Sequence, residues 1–369
     1  MKNKIFIWIG VIVVIFVVVL VVILSSGNNS NAKTIKIGVS AAMTGSAAYI
    51  GESYTTGLKA AQQEINAQGG INGKPVELLI EDNKNDAQEG ITVFRKLELQ
   101  KPDLFITTMS TPSVPVSPLV QQSGIPLFVS VVFADIVSKN ENSISFFPTP
   151  NNDAHATVQD MVINHVNKIG VLYLNSEYGQ AGLASFLKEA AQNNISVISQ
   201  EAFLNGVTDY STPLAKVLAT KPQAVYIIAV ASTPVIKQVK VMNSSVVIYT
   251  NLLPVFGNLV NQDKSTFEGV HLTASPVSIP GTAEYNQIRN QLKGVDPANT
   301  LGYTAIGYDN LYSIKAVLTK DPNVKNFVQT FSQIGPFGGI GGSFVLDSRD
   351  VGMVLYPVIF KNGVIQEVK

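Results

Sequence analysis

The chain has 369 residues, of which 46% are hydrophobic and 14% are charged, and this length is sufficient for two hydrophobic cores. It carries 26 basic and 26 acidic residues with no block of like charge, so nucleic acid is not an expected partner. The absence of cysteine excludes disulfides, thiol chemistry, cysteine-ligated zinc and an acylated N-terminal cysteine.

An uninterrupted apolar run occupies residues 5–24 and is long enough to cross a hydrocarbon core of about 30 Å. Lys2 and Lys4 precede it, so the positive-inside rule leaves the short N-terminus in the cytoplasm. We predict a single-pass transmembrane anchor at residues 1–24, a polar linker at residues 25–33, and a globular part on the extracytoplasmic side of the cell membrane. The alternative is a signal segment that is cleaved after Ala32.

Residues 35–83 have the pattern of a βαβ unit. Apolar residues alternate over residues 35–39, recur at helical spacing from Tyr54 to Ile65, and form a second strand at residues 75–80. Gly69-Gly70 ends the helix. The loop at residues 44–51 therefore lies at the carboxyl edge of the predicted sheet, where open α/β folds bind ligands.

Strands and helices continue to alternate along the rest of the chain. The rhythm runs to residue 150, resumes from residue 153 to residue 250, and is followed by Pro276, several helices and short terminal strands. This pattern predicts an α/β protein with two doubly wound parallel-sheet lobes. We assign residues 34–150 and 276–335 to lobe 1, and residues 151–275 and 336–369 to lobe 2.

Short motifs recur in order along the first unit: Thr44-Gly45, Gly51, Gly57, Glu64-Ile65-Asn66, Gly69-Gly70-Ile71, Gly73 and Glu81-Asp82. In their order and spacing they resemble the type I periplasmic binding proteins of the Leu/Ile/Val-binding family, the solute-binding components of ABC transporters. The resemblance implies a Venus-flytrap fold whose lobes are joined by three crossovers, the third at the glycine cluster of residues 335–342. It also implies capture of a small polar ligand, delivery to ABC permease subunits, and neither catalysis nor a cofactor.

Candidate ligand-binding residues lie on loops that the resemblance places at the cleft: Ser46, Tyr49, Ser110, Thr111, Ala134, Tyr178 and Asn251. The resemblance implies that Ser110 and Thr111 hold a ligand carboxylate through hydroxyl and backbone amide donors at a helix N-terminus. An ordinary Ser-Thr-Pro helix cap is the alternative. Tyr49 and Tyr178 would contact the ligand from opposite lobes, or each would be partly buried with a local hydrogen bond.

Two positions depart from the family pattern. Amino-acid binders of the family carry Ala-Thr or Ser-Ala-Thr where this chain has residues 131–135, and an acidic residue where it has Asn251. Since Asn251 supplies no full negative charge, the usual clamp for an α-amino acid is incomplete. Asp135 is either a substitute or a helix cap, and the ligand's identity stays open.

Other functions have less support in the sequence. A sensor ectodomain that signals through a membrane partner is the alternative to transport. The three histidines lack metal-ligand spacing and no hydrolase motif is present, so we expect no metal site and no enzyme. Glu81-Asp82 is interpreted as a solvated turn, with a catalytic acid and base pair as the alternative, and residues 338–342 as flexible crossover backbone.

Overall fold

The structure is a computed structural model that describes residues 33–45, 47–130, 135–204, 206–292, 301–335, 337–347 and 349–369. The predicted anchor and the linker up to residue 32 lie outside this range, as do two candidate site residues, Ser46 and Ala134. None of the helices in the described part of the chain has both the length and the apolar character that crossing a membrane requires.

The strands, in chain order, are β1 Ile35–Ala41, β2 Val76–Asp82, β3 Leu104–Thr108, β4 Leu127–Ser130, β5 Ser143–Phe146, β6 Lys168–Leu174, β7 Ser196–Phe203, β8 Ala224–Ile228, β9 Val247–Thr250, β10 His271–Ala274, β11 Phe337–Gly339, β12 Gly342–Asp347, β13 Asp350–Met353, β14 Tyr356–Lys361 and β15 Val364–Glu367.

The α-helices are α1 Ala48–Ala67, α2 Ala87–Glu98, α3 Ser110–Ser123, α4 Asp135–Lys139, α5 Pro150–Ile163, α6 Glu177–Gln192, α7 Ser211–Ala219, α8 Thr233–Met242, α9 Leu253–Phe256, α10 Leu259–Gln262, α11 Lys264–Phe267, α12 Ala283–Gln291, α13 Leu301–Lys320 and α14 Phe327–Ser332.

Two sheets share the same parallel core order. In the first sheet β2, β1, β3, β4 and β5 lie side by side, and in the second β7, β6, β8, β9 and β10 do. Each sheet therefore has a point, between β1 and β3 or between β6 and β8, where the strand order reverses and ligands bind in open α/β folds. The predicted pair of doubly wound parallel-sheet lobes is confirmed.

Helix α1 carries the apolar stripe that its sequence predicted. Tyr54, Leu58 and Ile65 on this stripe are buried. Helix α13 packs closely against α1, since a Cβ added to Gly57 would lie only 1.9 Å from the Thr304 carbonyl oxygen. The two helices thus pack backbone to backbone and hold the loop that precedes α1.

The third crossover lies later in the chain than predicted. Strands β11, β12 and β13 belong to the first sheet, in which β13 pairs with β5, and the chain enters the second sheet only at β14. Residues 337–353 therefore extend lobe 1, and the predicted boundary at residue 336 is wrong. The division of the remaining chain at residues 150 and 276 stays our proposal.

The glycine cluster has a packing role instead of the predicted flexible one. The Asp309 carboxylate accepts hydrogen bonds from the backbone N–H groups of Ile340 at 2.8 Å and Gly341 at 2.7 Å. A Cβ on Gly339 would lie 2.3 Å from this carboxylate. Glycine is required because α13 and the turn between β11 and β12 approach one another this closely.

Candidate ligand-binding cleft

The carboxyl ends of the first strands in lobe 1 are joined by a fixed loop. Asp82, at the end of β2, accepts hydrogen bonds from the Met43 amide at 2.8 Å and the Thr44 hydroxyl at 2.5 Å. Burial opposes the charge on Asp82, but these hydrogen bonds outweigh it and hold its pKa below the usual value. Asp82 is therefore an anchor for the loop before α1, which the sequence had suggested was only a solvated turn.

The next loop of lobe 1 leads into α3 through a strained residue. Met109 has φ 68° and ψ 139°, a conformation that side chains other than glycine rarely adopt. The helix begins directly afterwards at Ser110, so Ser110 and Thr111 lie in its first turn. Neither side chain forms a hydrogen bond to any described residue, which leaves their hydroxyls and amides open to a ligand at the helix N-terminus.

In lobe 2, Tyr178 lies in the first turn of α6. Ser176 caps this helix by accepting from the Gly179 amide at 3.3 Å. A Cβ on Gly179 would lie 1.9 Å from the Leu174 carbonyl oxygen, so glycine permits the helix to begin against the end of β6. This tight junction determines where the Tyr178 ring lies.

Asn251 is fully buried and all its hydrogen-bonding groups are used within lobe 2. Its Nδ2 donates to the Tyr178 hydroxyl oxygen at 2.6 Å and to the Ala229 carbonyl at 2.9 Å, and its Oδ1 accepts from the Leu253 amide at 3.1 Å. Asn251 therefore orients Tyr178, and its contact with a ligand stays a prediction. Because Tyr178 accepts from Asn251, its own hydroxyl hydrogen remains available to a ligand.

A buried carboxyl group lies beside this pair. Asp153, in α5, accepts from the hydroxyl of Thr273 and from the backbone of Leu252. Burial raises its pKa to about 7, although both hydrogen bonds work in the opposite direction. Burial also raises the pKa of Tyr178, and the nearby charge of Asp153 raises it further. Lobe 2 thus contains an ionisable carboxyl group close to Tyr178.

Aromatic side chains from both lobes meet across the cleft. Tyr303 in α13 packs edge to face against Tyr49 and against Phe256 of α9, with ring centroids 6.2 Å and 5.6 Å apart. Tyr49 also reaches lobe 2, where its ring lies 3.0 Å from the position of a Cβ on Gly257. Tyr303 is in turn near enough to raise the pKa of Tyr178. Tyr49, Tyr178 and Tyr303 therefore lie close together where the two lobes meet.

Several buried hydroxyl groups near the strand ends have no partner among the described residues. They belong to Thr108 at the end of β3, Ser232 before α8, Ser275 after β10, and Tyr303. Buried polar groups in proteins are normally hydrogen-bonded, and leaving one unpaired costs about 1–3 kcal/mol. These hydroxyls are suited to hydrogen-bond a ligand or the water that accompanies it.

Tyr49 and Tyr178 pack against the core where the two lobes meet, and Asn251 supports Tyr178 from inside lobe 2. Ser110 and Thr111 lie in the first turn of α3 in lobe 1. Sequence reasoning missed Asp153 and Tyr303. The only local sign of Asp153 in the sequence is its place in the first turn of a helix that follows a crossover. Its burial is visible only in the structure. Tyr303 has no local signal, since its role depends on α9 and α1.

Fold and cleft together define a two-lobed α/β binding protein. A family model described as periplasmic binding protein matches residues 34–355, and the chain belongs to this family, in its type I form. Such proteins bind solutes and are not enzymes.

Individual relatives support the same assignment. An amino acid binding protein of Pseudomonas aeruginosa is 26% identical over 301 residues, which are 76% of this chain and 77% of the relative. The Leu/Ile/Val-binding protein of Escherichia coli K12 is 24% identical over 204 residues, but the match spans only 55% of its length and 54% of this chain.

Solved structures show the same fold. The leucine binding protein LivK of Thermotoga maritima has a TM-score of 0.79 at 17% identity, covering 91% of this chain and 98% of its own. A solute binding protein of R. palustris in complex with benzoate has a TM-score of 0.75 at 19% identity, covering 91% and 96%.

Proposed function

We propose that the protein captures a small ligand, an amino acid or a related compound, between its two lobes and delivers it to an ABC-type transporter. The observation that carries this proposal is the pair of tyrosines, Tyr178 and Tyr303, that lie close together where the two lobes meet. The Tyr178 hydroxyl has a hydrogen left to donate, and the buried Tyr303 hydroxyl has no partner among the described residues. A ligand that touches both lobes favours the closed arrangement through these added contacts.

The groups around the space suit a ligand with a carboxylate. In our proposal the amides and hydroxyls of Ser110 and Thr111 bind that carboxylate at the N-terminus of α3. Tyr49 and Tyr303 pack on the apolar part. Relatives that carry leucine, isoleucine or benzoate in their structures support a ligand of this size and chemistry.

An amine on the ligand would need a negative partner, and Asn251 is neutral. We propose that Asp153 supplies this charge, because it is near enough to Tyr178 for its charge to raise the pKa of that tyrosine. Its pKa of about 7 means that an ammonium group nearby would favour the ionised form. A ligand without an amine, such as benzoate, would instead meet a protonated Asp153.

Calorimetry with leucine, isoleucine, valine and benzoate tests the proposal, together with small-angle scattering of the same samples. We expect heat of binding for at least one of them and a smaller radius of gyration in its presence. Absence of both heat and compaction with all four compounds would contradict the proposed ligand class.

Ser110→Ala tests the carboxylate site. The variant should weaken binding of the identified ligand by about 1–3 kcal/mol, because a hydrogen bond to a charged group is lost. Ser123→Ala is the matched control at the other end of α3, where the hydroxyl donates to the Val120 carbonyl at 2.7 Å. If both variants bind equally well, Ser110 is only part of a helix terminus.

Transport and sensing differ in the membrane partner. Adding the ligand-loaded protein to vesicles that contain the candidate permease and its ATPase subunits should stimulate ATP hydrolysis if the protein is a transport component. No stimulation with a ligand of proven affinity would favour the sensor alternative.

A further inference from the structure

The two lobes carry the same short sequence motif at equivalent places in their sheets. Ser110-Thr111-Pro112 follows β3 at the start of α3, and Ser232-Thr233-Pro234 follows β8 at the start of α8. Strands β3 and β8 hold the same position in the order of their sheets, next to β1 and β6. Each motif therefore lies at the carboxyl edge of its sheet, beside the point where the strand order reverses and where open α/β folds bind ligands.

The N-terminus of α8 resembles that of α3 in its electrostatics. Helix α8 has ten residues, no acidic residue in its first turn, and Ser232 at an N-cap position without a capping hydrogen bond. Helix α3 also has no acidic residue in its first turn and no side-chain cap. In contrast, α6 of lobe 2 is capped by Ser176 and has Glu177 in its first turn. The amides and the dipole at an uncapped helix N-terminus attract anions.

Ser232 gives a second, independent indication of a ligand at this helix end. Its side chain is 0% exposed, and its hydroxyl has no hydrogen-bond partner among the described residues. The motif of lobe 1 has a counterpart in Thr108, two residues before α3, which is 2% exposed and whose hydroxyl is likewise unpaired in the described chain. Because an unpaired buried hydroxyl is unfavourable, each of the two groups is suited to donate to a ligand.

Both motifs adjoin the core where the lobes meet. Val230, just before the motif of lobe 2, and Met109, just before that of lobe 1, pack against the same hydrophobic cluster. The Ala229 carbonyl, which follows β8, accepts from Asn251 at 2.9 Å, and Asn251 also donates to the Tyr178 hydroxyl at 2.6 Å. The motif of lobe 2 therefore begins close to Tyr178, the residue that this lobe contributes to the candidate site.

We propose that Ser232 and the N-terminus of α8 bind a second carboxylate of the ligand, so that the protein takes short dicarboxylic acids. This role rests on the proposed function, in which Ser110 and Thr111 hold the first carboxylate from lobe 1. An amine on the diacid is compatible with it, because the proposed function gives that group to Asp153. A diacid joins the lobes through a charged group at each end, and it therefore favours the closed arrangement more than a monoacid does.

Two matched pairs of ligands test this specificity by calorimetry at one pH. Glutarate differs from pentanoate, and glutamate from norvaline, only in having a carboxylate in place of the terminal methyl group. We expect at least one diacid to bind about tenfold or more tightly than its monoacid, because it gains hydrogen bonds to a charged group. The monoacids should still bind, through the lobe 1 site. Monoacids that bind as tightly as their diacids in both pairs would overturn the proposal.

Substitutions assign the preference to α8. Ser232→Ala should lower the ratio of diacid to monoacid affinity by about tenfold. Ser232→Asp should lower it further, because aspartate is a favourable N-cap but its carboxylate takes the place of the ligand anion. The matched control is Ser211→Ala at the start of α7, where the hydroxyl already donates to Asp209 at 2.6 Å, and this variant should keep the ratio. Thermal unfolding shows that each variant is folded.

The possible failures separate this specificity from the proposed function. If leucine, isoleucine, valine or benzoate binds and neither diacid does, the second carboxylate site is wrong and the proposed function stands. If the diacid preference persists in both Ser232 variants, or is lost in Ser211→Ala, then Ser232 is not the group that holds the second carboxylate. If no monoacid and no diacid binds, the proposed function and the second carboxylate site are both wrong.

Discussion

The two lobes have the same order of parallel strands but build their cleft edges differently. In lobe 2, Tyr178 is held by Asn251, and Asp153 is bonded to Thr273 and to the backbone of Leu252. These hydrogen bonds lie inside the lobe and depend on its folded core. The ligand-facing groups of lobe 2 are thus fixed in advance by buried polar contacts.

Lobe 1 presents backbone and hydroxyl groups from loops. Ser110 and Thr111 follow the strained Met109 and have no side-chain partner in the described chain, and Asp82 fixes the neighbouring loop from outside the core. The buried carboxyl group of lobe 1, Asp309, holds the β11–β12 turn and not the cleft. From this difference we expect substitutions at the cleft edge of lobe 2 to lower the stability of the protein. Substitutions at the cleft edge of lobe 1 should mainly lower the affinity for the ligand.

Asn251→Ala should give the largest effect. The change leaves the Leu253 amide and the Ala229 carbonyl without their partner and opens a cavity, so the free energy of unfolding should fall by about 3 kcal/mol. Ligand affinity should fall at least about tenfold, since Tyr178 loses its orienting hydrogen bond. Chemical denaturation and calorimetry measure the two effects. Ser110→Ala, the lobe 1 counterpart, should change stability by less than about 0.5 kcal/mol.

The inferred contrast between the lobes is wrong if Asn251→Ala binds the ligand with unchanged affinity. It is also wrong if Ser110→Ala lowers the free energy of unfolding as much as Asn251→Ala does. Tyr178→Phe separates orientation from stability, because it removes only the hydroxyl. The control for Tyr178→Phe is Tyr249→Phe, also in lobe 2. The Tyr249 hydroxyl donates to the carboxylate of Asp160, on α5, at 3.3 Å. The first variant should weaken binding and the second should not.

Gly339→Ala should give an intermediate effect, confined to stability. The added methyl group would lie 2.3 Å from Asp309, and overpacking of this kind costs about 1–3 kcal/mol. Gly338→Ala is a control one residue away, where no atom lies within 4 Å of the added Cβ, so its stability should stay within about 0.5 kcal/mol. Thermal unfolding compares the two. If Gly339→Ala also lowers ligand affinity, the β11–β12 turn supports the cleft and lobe 1 resembles lobe 2 more closely than we infer.

Much of the fold could be predicted from local sequence because each βαβ unit carries its own periodicity. The stripe from Tyr54 to Ile65 is an example, since apolar residues at helical spacing can be buried only on one side of α1. The third crossover could not be located in this way. Strands β11–β13 are short, so their local pattern fits either sheet equally well. They join the first sheet through β13, which pairs with β5 about 200 positions earlier in the chain.

The sequence allows a prediction of candidate residues that lie on loops at the ends of strands. It does not allow a prediction of roles that depend on partners distant in the sequence. Tyr178 follows β6 in a recognisable motif. The raised pKa of Asp153 depends on its burial in the folded protein, where it lies against Thr273, 120 residues away. The role of Asn251 as a support depends on Tyr178. Such roles are set by tertiary contacts that no spacing within one segment encodes.

A pH dependence should also distinguish the two buried carboxyl groups. Burial raises the pKa of Asp153 and of Asp309 to about 7, against 3.8 for the free group. The folded protein therefore holds more protons than the unfolded chain between these values. The contribution of these two groups to stability should be largest near about pH 4 and fall as the pH rises to about 7, by at most about 1.4 kcal/mol per pH unit for each group.

Only Asp153 should couple this titration to the ligand. Tyr178, Tyr226 and Thr273 face it, and none of them titrates near neutral pH because burial raises the pKa of both tyrosines. A ligand ammonium favours the ionised carboxylate, so affinity should rise from about pH 6 to about pH 8, with release of a proton on binding.

Calorimetry in buffers of different ionisation enthalpy measures that proton. Asp153→Asn should abolish the pH dependence of affinity, whereas Asp309→Asn should keep it and change only stability, since its carboxylate binds backbone amides away from the cleft. Persistence of the dependence in Asp153→Asn would remove Asp153 from the site. A dependence that vanishes in both variants would mean that the lobes share one coupled network, contrary to the division of roles inferred here.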